Sequence, residues 1–343
     1  MRDEIDARDL GFFDSRGIRI DAGGNAVLTF CTYRGTPYLF KRFTQEHRAQ
    51  VDEHALLRLI RWRAGLAPDE RAGLDAVAAW PRYLVRLGAR VDGVLVPPAP
   101  PGFFAMSRSH LRTPRGLTEL DGAAPGSPAP SGTIAVLGHL ITVVRDLHER
   151  GVVVNDLQPD NVLCAPEPPS PGVYLVDCDS MVSGRHWGQV AAPAAPDLMN
   201  EVQPTAQHPT IATDLHKLMW TVVRVLLEEP TQVGLGPSDR ALLAAAVPPD
   251  SAGLLIHLLG SPGDAVAWDR LARQWSAVTA PVTARPMLPA APAVPYRRRS
   301  WLPADYAYQP DPCPPVLPAR LRHENRLDAL RAALRPPRPR RSY

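Results

Sequence analysis

The sequence predicts an α+β protein of two lobes, a small β-rich amino-terminal lobe with one main helix and a larger helical carboxy-terminal lobe. Three observations lead there. Residues 10–43 hold short apolar runs separated by glycine, proline and asparagine turn signals. Beyond residue 130, apolar residues recur at helical spacing, at Ile134, Leu137, Ile141, Val144 and Leu147, and again at Leu215, Leu218, Met219, Val222 and Leu226. Between these blocks lies a stretch rich in acids and amides, Asn155 to Ser180, with two strand-length apolar runs, Asn161 to Cys164 and Val173 to Val176. A chain of 343 residues is long enough for two lobes and a sizeable core.

From the amino terminus, strands are expected at Gly11 to Phe13, Ile18 to Ile20, Val27 to Tyr33 and Tyr38 to Phe43. The turn at Gly23, Gly24 and Asn25 would let backbone N–H groups approach a phosphate, because glycine has no Cβ in the way; a plain hairpin turn is the alternative. Gln45 to Trp62 reads as one helix with Val51, Ala55, Leu56, Leu59 and Ile60 on one face, and Pro68 opens a second, to Ala79. Trp80 to Val85 and Val91 to Val96 read as strands. The run V-P-P-A-P-P follows, where proline leaves N–H donors only at positions such as Val96 and Ala99. After a low-complexity connector at 112–132, the helix through Leu147 stops at Gly151. Thr213-Asp214 is expected to cap a helix from Leu215 to Leu227, with further helices near Pro237 to Ala246, Ser251 to Leu259 and Gly263 to Val278. The expected domains are 8–98, 99–280 and a Pro/Arg-rich tail, 281–343, with a short helix at Ala319 to Leu334.

Charge is uneven. The tail carries 12 Arg against 4 acidic residues, so with a whole-chain formal charge of +3 the first 280 residues sum to −5. Such a tail can attract nucleic acid, but few aromatics interleave with its arginines, so a solvated or partner-docking role is expected instead. Of 38 basic residues only Lys41 and Lys217 are lysines, which makes each an unusual choice. The four cysteines are widely spaced without a C-x-x-C pair, and no apolar run reaches about 18 residues. The start MRDEIDARDL is too polar for a signal peptide, so a soluble, cytoplasmic protein without a membrane span is expected.

The chemistry gathers at Asp156, Asn161 and Asp177, which sit at the ends of the expected hairpin. Three oxygen-bearing side chains there suit a hard cation such as Mg²⁺, which keeps some waters for a phosphate-bearing substrate. An Asp, an Asn five residues on, and an apolar-flanked Asp beyond a hairpin is the order in which protein kinases place a base and two metal ligands. The segment V-N-D-L-Q-P-D-N-V-L-C with V-Y-L-V-D-C-D-S resembles the catalytic loop and metal-binding motif of the protein-kinase-like fold, especially bacterial Ser/Thr kinases reading D-L-x-P-x-N and I-D-x-D-S.

The resemblance implies ATP and Mg²⁺ as cofactors, with a protein substrate or partner protein. Asp156 would orient the accepting hydroxyl, and Asn161 and Asp177 would hold the metal. Lys41 in Y-L-F-K-R-F would bind phosphates, paired to Glu53 or, as second choice, Glu46. Gly23, Gly24, Asn25 and the Val96 N–H would bind the nucleotide. Asp214 would hold the loop's backbone, and Ala195-Pro196-Asp197 resembles the family's A-P-E. His148 is expected to pack or cap near the loop. Gln158 departs from the family, standing where protein kinases usually hold a Lys. An amide supplies no charge to the transferring phosphate, which implies slow turnover or none. The leading expectation is a protein Ser/Thr kinase. A pseudokinase scaffold is the alternative, and a small-molecule kinase of the aminoglycoside type is a third.

Overall fold

A computed structural model describes residues 3–12, 18–22, 26–106, 112–123, 127–166, 171–183, 209–229, 232 and 234–279, and these form an α+β fold. All fall within one unit, Met1–Tyr296. The Gly23-Gly24-Asn25 turn, the Ala195-Pro196-Asp197 tripeptide with most of the segment before it, and the basic tail lie outside the described residues.

Among the described residues, seven strands make one sheet. They are β1 (Glu4–Asp6), β2 (Gly11–Phe12), β3 (Ile18–Ala22), β4 (Ala26–Tyr33), β5 (Thr36–Phe43), β6 (Tyr83–Leu87) and β7 (Arg90–Val96), ordered β1-β6-β7-β5-β4-β2, with β3 also on β4. Aromatic and β-branched residues fill β4 and β5, and their hairpin turns through Arg34 and Gly35, both at positive φ (51° and 78°). β1 was not expected from the polar amino terminus. It pairs in parallel with β6, and Ile5 at its centre buries beside Leu10, Tyr33, Phe40 and Val85. One apolar residue in three suffices, because only one face of this edge strand meets the core.

Three helices connect β5 to β6: α1 (Gln45–Arg48), α2 (Glu53–Ala64) and α3 (Pro68–Val77). The single helix expected over 45–62 is thus two. Thr44 and Asp52 each act as an N-cap, the first accepting from the His47 N–H at 3.3 Å and the second from the Ala55 N–H at 3.0 Å. A capping side chain offers the backbone a start signal, and the second cap wins over helix continuation. Trp80 precedes β6 rather than opening it. Its fully buried indole donates to the Leu59 carbonyl at 2.9 Å, tying α2 to the sheet entry.

The remaining elements are β8 (Phe104–Met106), β9 (Arg112–Pro114), α4 (Ser131–Glu149), β10 (Val152–Val153), β11 (Val162–Ala165), β12 (Gly172–Leu175), β13 (Val182–Ser183), α5 (Ile211–Leu227), α6 (Pro237–Ala246), α7 (Pro249–Gly260) and α8 (Ala265–Thr279). α4 buries residues on most of its circumference, as expected of a helix enclosed by others, and α8 packs closely enough that a Cβ on Gly138 would lie 2.9 Å from that of Trp275. α5 starts a turn earlier than expected. Its N-cap is Thr210, in a reciprocal pair with Thr213, which frees Asp214 for another partner. No helix among the described residues is long and apolar enough to cross a membrane.

The β11–β12 hairpin pairs Leu163 with Tyr174 and is gripped on both edges. Ala79 N–H donates to Leu175 O, and Cys164 N–H donates to Arg115 O, both at 2.8 Å. On β7, Gly93 lies so close to β5 that an added Cβ would meet the Lys41 carbonyl oxygen at 2.1 Å. Gly93→Ala is therefore expected to cost about 3 kcal/mol by forcing β5 and β7 apart. The urea midpoint should drop accordingly, whereas Gly73→Ala, on the open side of α3 with nothing within 4 Å, should leave it unchanged or raise it.

Candidate functional site

The loop joining β10 to β11 is fixed by a single carboxylate. Asp214, in the first turn of α5 and fully buried, accepts from the backbone N–H groups of Val154 at 2.5 Å and Asn155 at 2.9 Å, and faces His148 Nε2 at 3.0 Å. Asn155 itself takes a left-handed backbone (φ 67°), a conformation asparagine tolerates better than most residues. Its side chain donates to Ser180 O at 2.9 Å, and its carbonyl accepts from Lys217 Nζ. Among the described residues, every polar group of Asn155 except its side-chain oxygen thus has a partner. His148, expected to pack or cap near the loop, does so through Asp214.

That anchoring presents Asp156. Its carboxylate accepts from Gln158 Nε2 at 2.7 Å on one oxygen and from Asn161 Nδ2 at 2.8 Å on the other. Burial pushes its pKa up; Lys217 pulls it down, Asp177 pushes it up again, and the two amide hydrogen bonds pull it down, with a net rise. The structure brings Asp156, Gln158 and Asn161 together within one loop.

Asn161 and Asp177 flank the hairpin, the first just before β11 and the second two residues past β12, and Val176 N–H donates to Asn161 O at 2.9 Å across its base. Asn161 uses its amide nitrogen on Asp156, so its Oδ1 accepts nothing among the described residues. Asp177 has a left-handed backbone (φ 57°) and a side chain 44% exposed. Four non-glycine residues among those described have positive φ, and Asn155 and Asp177 are two of them, so local backbone strain gathers at this site. Asp177 Oδ and Asn161 Oδ1 are hard donors that fit Mg²⁺. No group of three or more His, Cys, Asp and Glu side chains with metal-binding geometry occurs among the described residues. A cation here would therefore retain water or take phosphate oxygens for most of its shell.

Lys41, on β5, reaches across to the far end of the hairpin. Nζ lies 2.7 Å from Asp179 Oδ1 and 3.2 Å from Asp177 Oδ1. Burial pulls the ammonium's pKa down, but Asp179 and then Asp177 outweigh it, leaving a net rise. The expected pairing with Glu53 is not formed. Glu53 begins α2 and binds Arg86 of β6 instead, and Arg86 also binds Glu4 of β1. The second choice, Glu46, is exposed on α1. The physical reason is position: the early cap at Asp52 puts Glu53 in the first turn of α2, within reach of β6. Sequence reasoning missed Asp179 as the main partner, although the D-C-D repeat carried the signal. His47, on α1, feels the same charges, and burial holds its pKa below the usual histidine value.

Val96 ends β7 opposite Leu39 and is nearly buried. It belongs to an apolar cluster with Ala26, Leu163 and Tyr174, against which Ala99 and Phe103 pack. A separate cavity of about 280 Å³, lined among others by Asp3, Tyr38, Arg63, Arg82 and Tyr83, shares no residue with this site. Its arginines already meet Asp75, at 2.5 and 2.8 Å. No protein-family model matches the chain, and no curated protein matches its sequence.

Two outcomes test the Lys41 geometry. Asp179→Asn strands a buried ammonium with one half-exposed partner and should cost about 3 kcal/mol in urea unfolding, whereas Glu53→Gln, in a pair about one-third exposed, should cost under about 1 kcal/mol. The pH sign follows from the raised folded pKa. The pair's contribution is complete below the ordinary value of 10.5 and is lost as pH rises through the folded value. Wild-type stability should thus show a step down above about pH 10.5 that is smaller in Asp179→Asn. Likewise, Asp214→Ala should cost about 3 kcal/mol, because it orphans two buried backbone donors.

Proposed function

We propose that the chain is an ATP-dependent phosphotransferase of the protein-kinase-like fold that moves the γ-phosphate to a serine or threonine hydroxyl of a protein. The observation that carries this is convergence. Lys41 from β5, Asp156 and Asn161 from one loop, and Asp177 and Asp179 from the hairpin's end come together through contacts spanning up to 138 residues of sequence. The apolar cluster around Val96 and Leu163 lies beside them and suits the face of a base.

In this function Asp156 accepts the substrate's hydroxyl proton as the oxygen–phosphorus bond forms and the bond to the β-phosphate oxygen breaks. Its raised pKa favours taking that proton. Asp177 and Asn161 Oδ1 would hold Mg²⁺, which when bound neutralises phosphate charge. Lys41 would turn from its aspartates to the phosphates, its compact ammonium fitting where a planar guanidinium would not. A nucleotide-binding scaffold is the second function to weigh, and a specific observation favours it: Lys41 is doubly paired, and Gln158 adds no charge.

Transfer of labelled γ-phosphate in Mg²⁺ or Mn²⁺, run with nucleotide-induced thermal shift, separates them. A kinase should label itself or a generic protein substrate, and Asp177→Asn should lower the rate at least about 100-fold while the fold is kept. Stabilisation by nucleotide without any label moving would support the scaffold. Absence of both would overturn nucleotide chemistry at this site.

A further inference from the structure

The chain has 38 basic residues and two lysines, and the structure brings both lysines to the same site. Lys41 is paired with two carboxylates. Lys217 is not. It sits three residues after Asp214 on α5, so the two share one helix face. From that face Asp214 takes the loop's N–H groups and Lys217 takes the Asn155 carbonyl. An ammonium has three donors, and this contact uses one. Among the described residues, no carboxylate lies within ion-pair distance of Lys217, and the carbonyl it holds belongs to the residue immediately before Asp156.

A donor needed only to hold a carbonyl could be an arginine, the residue this chain uses at 36 of its 38 basic positions. Arginine's fork is bulky and planar, whereas lysine delivers a compact point charge. Phosphoryl transfer depends on cations placed where negative charge is redistributed. Around Asp156 the loop supplies two neutral amides, Gln158 and Asn161, and no cation of its own. We propose that Lys217 supplies from helix α5 the positive charge at Asp156 that the loop lacks, and that it contacts the terminal phosphate of a bound nucleoside triphosphate. This rests on the phosphotransferase or nucleotide-binding function above and assigns Lys217 as a catalytic residue within it.

Because the full chain has only two lysines, reductive methylation read by mass spectrometry reports on Lys217 in the unmodified protein. Bound magnesium AMP-PNP should slow methylation of Lys217 at least about fivefold more than magnesium ADP does, since only the triphosphate carries the contacted group. Equal protection by both, or none by either while nucleotide still stabilises the fold, overturns the proposal alone. If no nucleotide binds at all, the underlying function fails and this inference with it.

A second arm separates charge from loop-holding. Lys217→Met should lower transfer, or the preference for AMP-PNP over ADP where no transfer occurs, by about 100-fold and about tenfold respectively, with ADP affinity kept within about twofold. Adding Gln158→Lys to Lys217→Met should restore at least about a tenth of the loss, since the cation then comes from the loop. A folded double variant no better than the single one would show that Lys217 only holds Asn155, and would overturn the proposal. If Lys217→Met does not fold, the methylation result on the wild type decides.

Discussion

The buried carboxylate of Asp214 is the constraint on which the candidate site depends. A fully buried acid is costly unless donors surround it, and here they come from a histidine on α4 and two successive backbone N–H groups of the loop. The carboxylate and the loop satisfy each other. Without those N–H groups the acid is stranded, and without the acid the strained turn at Asn155 loses its main restraint. Asp156 is therefore held by its neighbours' backbone rather than by its own side chain, which leaves its carboxylate to small amides.

Other charges are matched in the same way. Asp179, almost fully buried, meets Lys41, while Asp177, two residues earlier, stays half-exposed and shares the same ammonium. One lysine therefore spans a fixed and an open carboxylate. The fixed one holds β5 against the hairpin, and the open one remains available to solvent-borne ligands. The hairpin itself is gripped by Ala79 on one side and Arg115 on the other.

Much of this was legible in the sequence. The hairpin, the helical stripes of α4 and α5 and the pairing of Asp156 with Asn161 all follow from local spacing, because the groups involved are close along the chain. The scarcity of lysine flagged positions 41 and 217 without any structure. What was not legible depends on competition or on long-range pairing. The break between α1 and α2 was decided by two caps against an apolar stripe that favoured continuity. Lys41 had two acidic candidates, Glu53 and Glu46, and only the three-dimensional position of β6 shows that Glu53 goes to Arg86 instead. β1 has a single apolar residue to announce it, and its partner lies some 80 residues away.

Arg86 has a further consequence. Its guanidinium binds Glu4 on an edge strand through Nε and Glu53 at the start of α2 through an Nη, so two segments distant in sequence are joined through one cation. The parallel pairing of β1 with β6 is thereby reinforced by a side-chain contact that also reaches α2. Three segments that are far apart in the chain, the first strand, β6 and the start of α2, therefore meet at a single side chain.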